Sequence, residues 1–150
     1  MASVTVTSIK EIRRPVDVVR AQFSDLKHHI AHNVHRNFEF TLHASDERSC
    51  DFTQRYRLLG VMRRDEVRLE RKADGSLHAK FVGGPSRGTE TFTSFESLGS
   101  GSTRVQFKVV MPLRGLMALA RPFVKRQVER DLAKGLEEDR IDLEERGYPR

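Results

Sequence analysis

Between residues 38 and 111 the chain alternates apolar and polar side chains, run after run, with only short turns between the runs. Successive side chains of a strand point to opposite faces, so each run reads as a strand with one buried face. Phe38, Phe40 and Leu42 form one such run. Cys50, Phe52, Gln54, Tyr56 and Leu58 alternate against Asp51, Thr53, Arg55 and Arg57. After a turn at Gly60, Val67 and Leu69 alternate against Arg64, Glu66, Arg68 and Glu70. Asp74-Gly75 is a hairpin signal. It leads into Leu77, Ala79 and Phe81, closed by Gly83-Gly84-Pro85. Thr89 to Phe95 is a further strand; Phe92 and Phe95 have opposite parity, which predicts a bulge or burial on both faces. Gly99-Ser100-Gly101-Ser102 turns the chain into Val105, Phe107, Val109 and Met111. Residues 3–12 add an opening strand through Val4, Val6, Ile9 and Ile12. The connections are too short for crossovers, so these seven strands are expected to be largely antiparallel.

Helical periodicity occupies the rest. Arg14-Pro15 starts a helix, because proline fits a first turn where its missing N–H costs nothing. Val16, Val19 and Phe23 give it one apolar stripe. A second short helix is predicted from residue 26 to about 34, with Leu26, Ile30 and Val34 within an arc of about 80°. The final third, about 115 to 145, reads as one long helix buried along Leu116, Ala120, Phe123, Val124, Val128, Leu132 and Leu136. Pro122 inside it predicts a kink or a division into a short and a long helix. The chain is therefore expected to be one α+β domain over 1–150, a curved antiparallel sheet wrapped around the terminal helix whose stripe it covers.

Composition narrows the function classes. Of 150 residues, 37% are hydrophobic and 32% charged, with a net charge of +6, as in a globular domain with a heavily charged surface. No apolar run approaches the roughly 20 residues of a membrane span, and no charged-then-apolar leader opens the chain, so a cytoplasmic setting is expected. One cysteine, Cys50, excludes an internal disulfide framework and a cysteine-based zinc knuckle.

The strand followed by Arg14-Pro15-Val16-Asp17-Val18-Val19 and then Phe23-Ser24-Asp25 resembles the opening of the START-related, Bet v 1-like (SRPBCC) superfamily of polyketide cyclase/dehydrase and lipid-transport type. Arg14 stands where that family usually has alanine. The resemblance covers the whole order of elements. It implies a helix-grip fold, two short helices after the first strand, and a cavity between the sheet and the terminal helix. Such cavities hold lipids, polyketides or aromatic metabolites, carried by some members and cyclised or dehydrated by others. The tyrosine-proline segment of the ubiquinone-binding branch is absent; Lys27-His28-His29-Ile30-Ala31-His32 stands there instead.

The inward strand faces suggest where a ligand would lie. An apolar pocket with a few placed polar groups is the usual build of a small-molecule site. Gln54 and Tyr56 share parity with Phe52 and Leu58; Asp65 shares it with Val67 and Leu69; Thr91 and Thr93 share it with Phe95. With Phe40, Phe81, Phe107 and Phe123 they form the expected ligand-binding set. No nucleophile elbow, phosphate loop or dinucleotide fingerprint is present, so no catalytic residue and no cofactor are assigned. An enzyme built here would be an acid/base cyclase or dehydratase using Tyr56, Asp65 or a histidine at the cavity mouth. Cys50, inward among aromatics, reads as an inert core thiol.

His28, His32 and His35 fall on one stripe opposite the apolar one, at i, i+4 and i+7. That spacing can gather imidazoles on zinc, but no Cys, Asp or Glu in the segment completes a set. The expectation is a solvated face with no metal. The resemblance places this short helix at the cavity mouth.

Charge suggests partners. Residues 1–115 carry the whole +6, and residues 116–150 are neutral with a basic start and an acidic end. The arginines of 48–72 are placed on the outer sheet face, paired with Glu66 and Glu70. With no exposed aromatics for stacking and no nucleic-acid motif, nucleic acid is not an expected partner. Residues 113–130 mix apolar and basic residues, a composition able to touch an anionic membrane surface, although the stripe is better explained as core.

Overall fold

A computed structural model describes residues 2–150. Among them seven strands form one antiparallel sheet: β1 (Ser3–Ile12), β2 (Glu39–Ser45), β3 (Ser49–Leu58), β4 (Val61–Arg71), β5 (Leu77–Gly83), β6 (Glu90–Gly99) and β7 (Ser102–Pro112). The helices are α1 (Val16–Phe23), α2 (Leu26–Ala31), α3 (Leu116–Leu119) and α4 (Arg121–Ile141), closed by a π-helical turn over Asp142–Gly147. Strand order is β1-β7-β6-β5-β4-β3-β2. Strands β1 and β2, neighbours in sequence, thus lie at opposite edges, and α1 and α2 bridge the gap between them. Register shifts at Leu42/Ala44 and Glu66/Val67 bend the strands, as bulges do. The α+β arrangement expected from the periodicities, and the helix grip that the resemblance implies, are both observed.

The buried stripe of α4 runs Val124, Val128, Leu136 and Asp139 at helical spacing. Val124 and Val128 pack with Val4, Val6, Val109 and Met111 of the paired β1 and β7. Leu136 joins Ile12, Val19, Val105 and Leu143. A third cluster, Cys50, Phe52, Val67, Ala79 and Phe81, lies on the far half of the sheet. Burial pushes the Cys50 thiol pKa up, so it is held as a thiol.

The terminal helix is divided into a short and a long one, an outcome that Pro122 predicts: α3 ends at Leu119, and α4 restarts with Pro122 in its first turn, where no N–H is missed. Other expectations change. The division turns the start of the expected stripe outward. Leu116, Leu119 and Phe123 are 83%, 82% and 62% exposed. Helix α2 stops at Ala31, short of residue 34, and Asn33 takes a left-handed φ of 47°. Within α2 the buried face is that of His28 and His29, which leaves Ile30 exposed, and past the break Val34 is buried. Phe92 and Phe95 use both sheet faces: Phe95 enters the core, and Phe92 stacks on His78 outside at 4.6 Å. On the outer face Arg68 pairs across strands with Asp51 at 3.2 Å. Glu66 and Glu70, expected to pair with arginines across strands, meet Arg64, Arg68 and Lys72 of their own segment, and the cross-strand contact of Glu66 is the Thr53 hydroxyl, from which it accepts at 2.7 Å.

Candidate functional site

Between the concave sheet face and α4 lies a cavity of about 250 Å³. Its walls come from β2–β7, from α4 through Val128, Leu132 and Leu136, and from α2 and the segment after it through Leu26, His29 and His35. Most of the lining is aliphatic or aromatic. Phe38 stacks on both Phe40 and Tyr56, and Phe40 meets Phe52 edge-on. Apolar walls disperse no charge and exclude water, so polar groups on them act at full strength.

One such group is Thr89, whose Oγ1 is buried in the wall with no hydrogen-bond partner among the described residues. A second lies deeper. Tyr56 Oη and Ser86 Oγ share a hydrogen bond at 2.9 Å, and Arg63 Nη2 donates to the same Ser86 oxygen at 3.1 Å. Burial pushes the Tyr56 phenol well above its ordinary pKa, so it stays a hydroxyl.

The third polar wall joins α2 to α4. Asp25 caps α2 by accepting from the His28 N–H at 3.0 Å, and it also accepts from Tyr148 Oη at 2.7 Å. His28 Nε2 meets Asp142 Oδ2 at 2.6 Å, and His29 Nε2 meets Asp139 Oδ1 at 3.0 Å. Gln22, fully buried, donates its amide to both aspartates at 3.0 Å. His35 reaches Glu138 Oε1 through Nδ1 at 3.1 Å and Asp139 Oδ2 through Nε2 at 3.4 Å. Burial alone would lower the His35 pKa, but Asp139 and Glu138 outweigh it and hold the imidazole up to about 10. Burial likewise opposes ionisation of Asp139, yet His35 and His29 keep its carboxyl far below the usual range.

The expected solvated face of His28, His32 and His35 is therefore corrected: His28 is buried against Asp142 and His35 is held by Glu138 and Asp139, as the neighbouring His29 is by Asp139. The reason is tertiary: the partners lie 103 or more residues along the chain, beyond any local pattern.

Of the expected ligand-binding residues, Phe40, Gln54, Tyr56, Phe81, Thr91, Thr93 and Phe107 line the cavity. Asp65 does not. It is fully buried behind the wall, where Oδ1 accepts from the Ser86 N–H at 2.9 Å and organises the Gly84–Ser86 turn. Phe123 does not either, because Val124, one residue and 100° further round α4, takes the inward position. His29, His35 and Asp139 line the cavity and were missed. Two signals point to them. His29 lies only 60° from Leu26 on a helical wheel, and Asp139 continues the stripe of Leu132 and Leu136.

Outside the cavity, α1, α2 and the β4–β5 hairpin enclose a groove of about 610 Å³. Arg20, Lys27, Arg71 and Lys72 give it a basic rim. It shares Ser24, Leu26 and Leu77 with the cavity, so the two spaces abut at the N-terminal end of α2.

No protein-family model matches the chain, and no curated protein matches it significantly. Solved structures do. The Zhui aromatase/cyclase from Streptomyces sp. R1128 superposes with a TM-score of 0.82 at 14% identity, over 97% of this chain and 96% of that one. A START superfamily protein from Mycobacterium smegmatis gives 0.72 at 16% identity, over 93% and 98%. Major latex-like protein 151 of Panax ginseng gives 0.67 at 12%, over 93% and 96%. Identities this low speak to architecture, and the likeness spans the full length of each partner. The chain shares the fold of these proteins, a seven-stranded antiparallel sheet gripping a long C-terminal helix.

Proposed function

We propose that the protein binds a hydrophobic or aromatic small molecule in the cavity between the sheet and α4. The observation that carries this reading is the cavity itself, apolar over most of its wall with Gln54, Thr91 and Thr93 among the few polar side chains that line it. Size limits the ligand. A cavity of about 150 Å³ takes benzene, and this one falls below the roughly 300–1,000 Å³ of drug-sized sites. One or two fused rings, or a short acyl segment, fit better than a sterol. Native mass spectrometry of freshly purified protein tests the reading: a retained small molecule is expected, and its loss in Ala79→Leu, which fills the cavity, should accompany an intact fold. An unchanged retained mass in that variant would contradict it.

A second reading is a cyclase or dehydratase acting on a similar ligand. It is favoured by Tyr56, His29, His35 and Asp139 on the cavity wall, ionisable side chains of the kind that acid/base chemistry uses. In that case His29→Gln abolishes turnover of a polyketide-type substrate while binding persists.

A carrier must also load. The exposed Leu116, Leu119 and Phe123, beside Arg121, Lys125 and Arg126, support transient contact with an anionic membrane surface. Among the described residues no helix is long and apolar enough to cross a membrane.

A further inference from the structure

His29, His35 and Asp139 come from two segments more than 100 residues apart, yet one potential ligand atom from each lies within 4.8 Å of the others. His29 Nε2 is 3.0 Å from Asp139 Oδ1, and His35 Nε2 is 3.4 Å from Asp139 Oδ2. Ligand atoms held about 2.0–2.2 Å from one ion are themselves roughly 3–3.5 Å apart. The two contacts run to different oxygens of the Asp139 carboxylate, so an ion between the imidazoles would meet that carboxylate through either oxygen or both.

The outer atoms of the same residues carry the argument further. His29 Nδ1 donates to the Asp25 carbonyl at 2.9 Å, which leaves Nε2 as the nitrogen facing Asp139. His35 Nδ1 faces Glu138 Oε1 at 3.1 Å, which leaves its Nε2 facing Asp139 as well. Metal-bound histidines are held in this way, with the second ring N–H given to a carbonyl or carboxylate that fixes the ring and its tautomer. The Asp139 carboxylate is steadied in turn by the Gln22 amide at 3.0 Å. Both nitrogens of both rings are thus fixed, with the inner pair converging on one carboxylate. The surroundings also match a cation, since Asp139 and Glu138 bring two carboxylates to the cluster.

We propose that His29, His35 and Asp139 form a binding site for a divalent transition-metal ion of the zinc or cobalt class, with its open coordination positions facing the apolar cavity. Two imidazoles and a carboxylate suit such ions, whereas calcium and magnesium prefer all-oxygen shells. All three residues line the cavity, so an oxygen or nitrogen of a bound small molecule could complete the sphere. The carboxylate that the histidine-rich segment lacks is supplied by α4. The site does not depend on the ligand reading, because the ion would bind with the cavity empty.

Cobalt(II) titration of the chelator-treated full chain tests this, followed by visible absorption and calorimetry. One equivalent is expected, with the intense visible bands of a four- or five-coordinate site, displaced by zinc. His35→Gln and Asp139→Asn each remove one ligand and should weaken binding by about tenfold or more. His43→Gln, which removes a histidine far from the cluster, should leave it unchanged. Circular dichroism establishes that each variant is folded, and if Asp139→Asn is not, the half-buried His35→Gln carries the comparison. A wild-type spectrum of hexaaqua cobalt without saturable binding would overturn the proposal. So would full affinity in folded His35→Gln. Retention of an organic ligand by the metal-free protein would bear only on the cavity reading.

Discussion

Arg14 occupies the position where an alanine would be usual for this fold, and its guanidinium has a use there. It donates to the Leu143 carbonyl at 2.6 Å and the Tyr148 carbonyl at 2.7 Å, tying the start of α1 to the last turn of the chain. Charge-assisted bonds of this kind contribute about 1.5–3 kcal/mol. Arg14→Ala should therefore lose about 2 kcal/mol in urea unfolding, and an unchanged midpoint would show that the last turn is held by other contacts. Gly84 is a second single-residue lock. Its φ is +97°, and a Cβ there would sit 2.5 Å from the Arg64 carbonyl and 2.7 Å from Asp65 Oδ1. Gly84→Ala should cost at least about 2 kcal/mol by the same measurement. At this scale legibility was uneven. Gln54, Tyr56 and the threonines of β6 could be placed by parity, since a strand repeats every two residues. Asp65 has the right parity too, but it sits behind the cavity wall in the Ser86 turn, and parity carries no depth.

Helices α2 and α4 form a latch made of acids and imidazoles. Asp142, 2% exposed, meets Gln22, His28 and Arg150. Removing one member of a buried pair costs about 3–5 kcal/mol, because the other is left without its partner. Asp142→Ala should lower stability by about 3 kcal/mol and speed amide exchange throughout α2; exchange confined to α4 would mean α2 is held by packing alone. The two features that resisted local reading, the histidine run and the acidic helix end, turn out to be each other's partners. Periodicity describes a helix against an unspecified neighbour, so it could not show which neighbour is acidic. The early stop of α2 at Ala31 added a second error, because His35 lies beyond the helix whose phase was used to place it. Helix α3 carries a separate expectation. Replacing Leu116, Leu119 and Phe123 by serine should reduce sedimentation with phosphatidylglycerol vesicles several-fold, with no loss of thermal stability, since these side chains are already in water. Equal sedimentation of both proteins would remove the membrane contact.

For the molecule as a whole, the +6 charge is a coat. Its arginines sit on the outer sheet face and along the groove beside α2, while the interior is apolar except at three polar walls. Surface pairs such as Arg68 with Asp51 contribute little individually. The sheet, its direction and the gripping helix followed from two periodicities and the lengths of the turns. The cavity did not, because it is the space left where a curved sheet stands away from a helix, and that distance is set by bulges and by the α2–α4 latch. Binding inside that space is the central claim, and a ¹H–¹⁵N NMR titration with 2-naphthol tests it most directly. Saturable shifts are expected at Thr89, Thr91, Phe107 and Leu132, which face the cavity from three sides. Shifts confined to exposed residues such as Leu116 and Phe123, with the cavity amides unmoved at saturation, would contradict it.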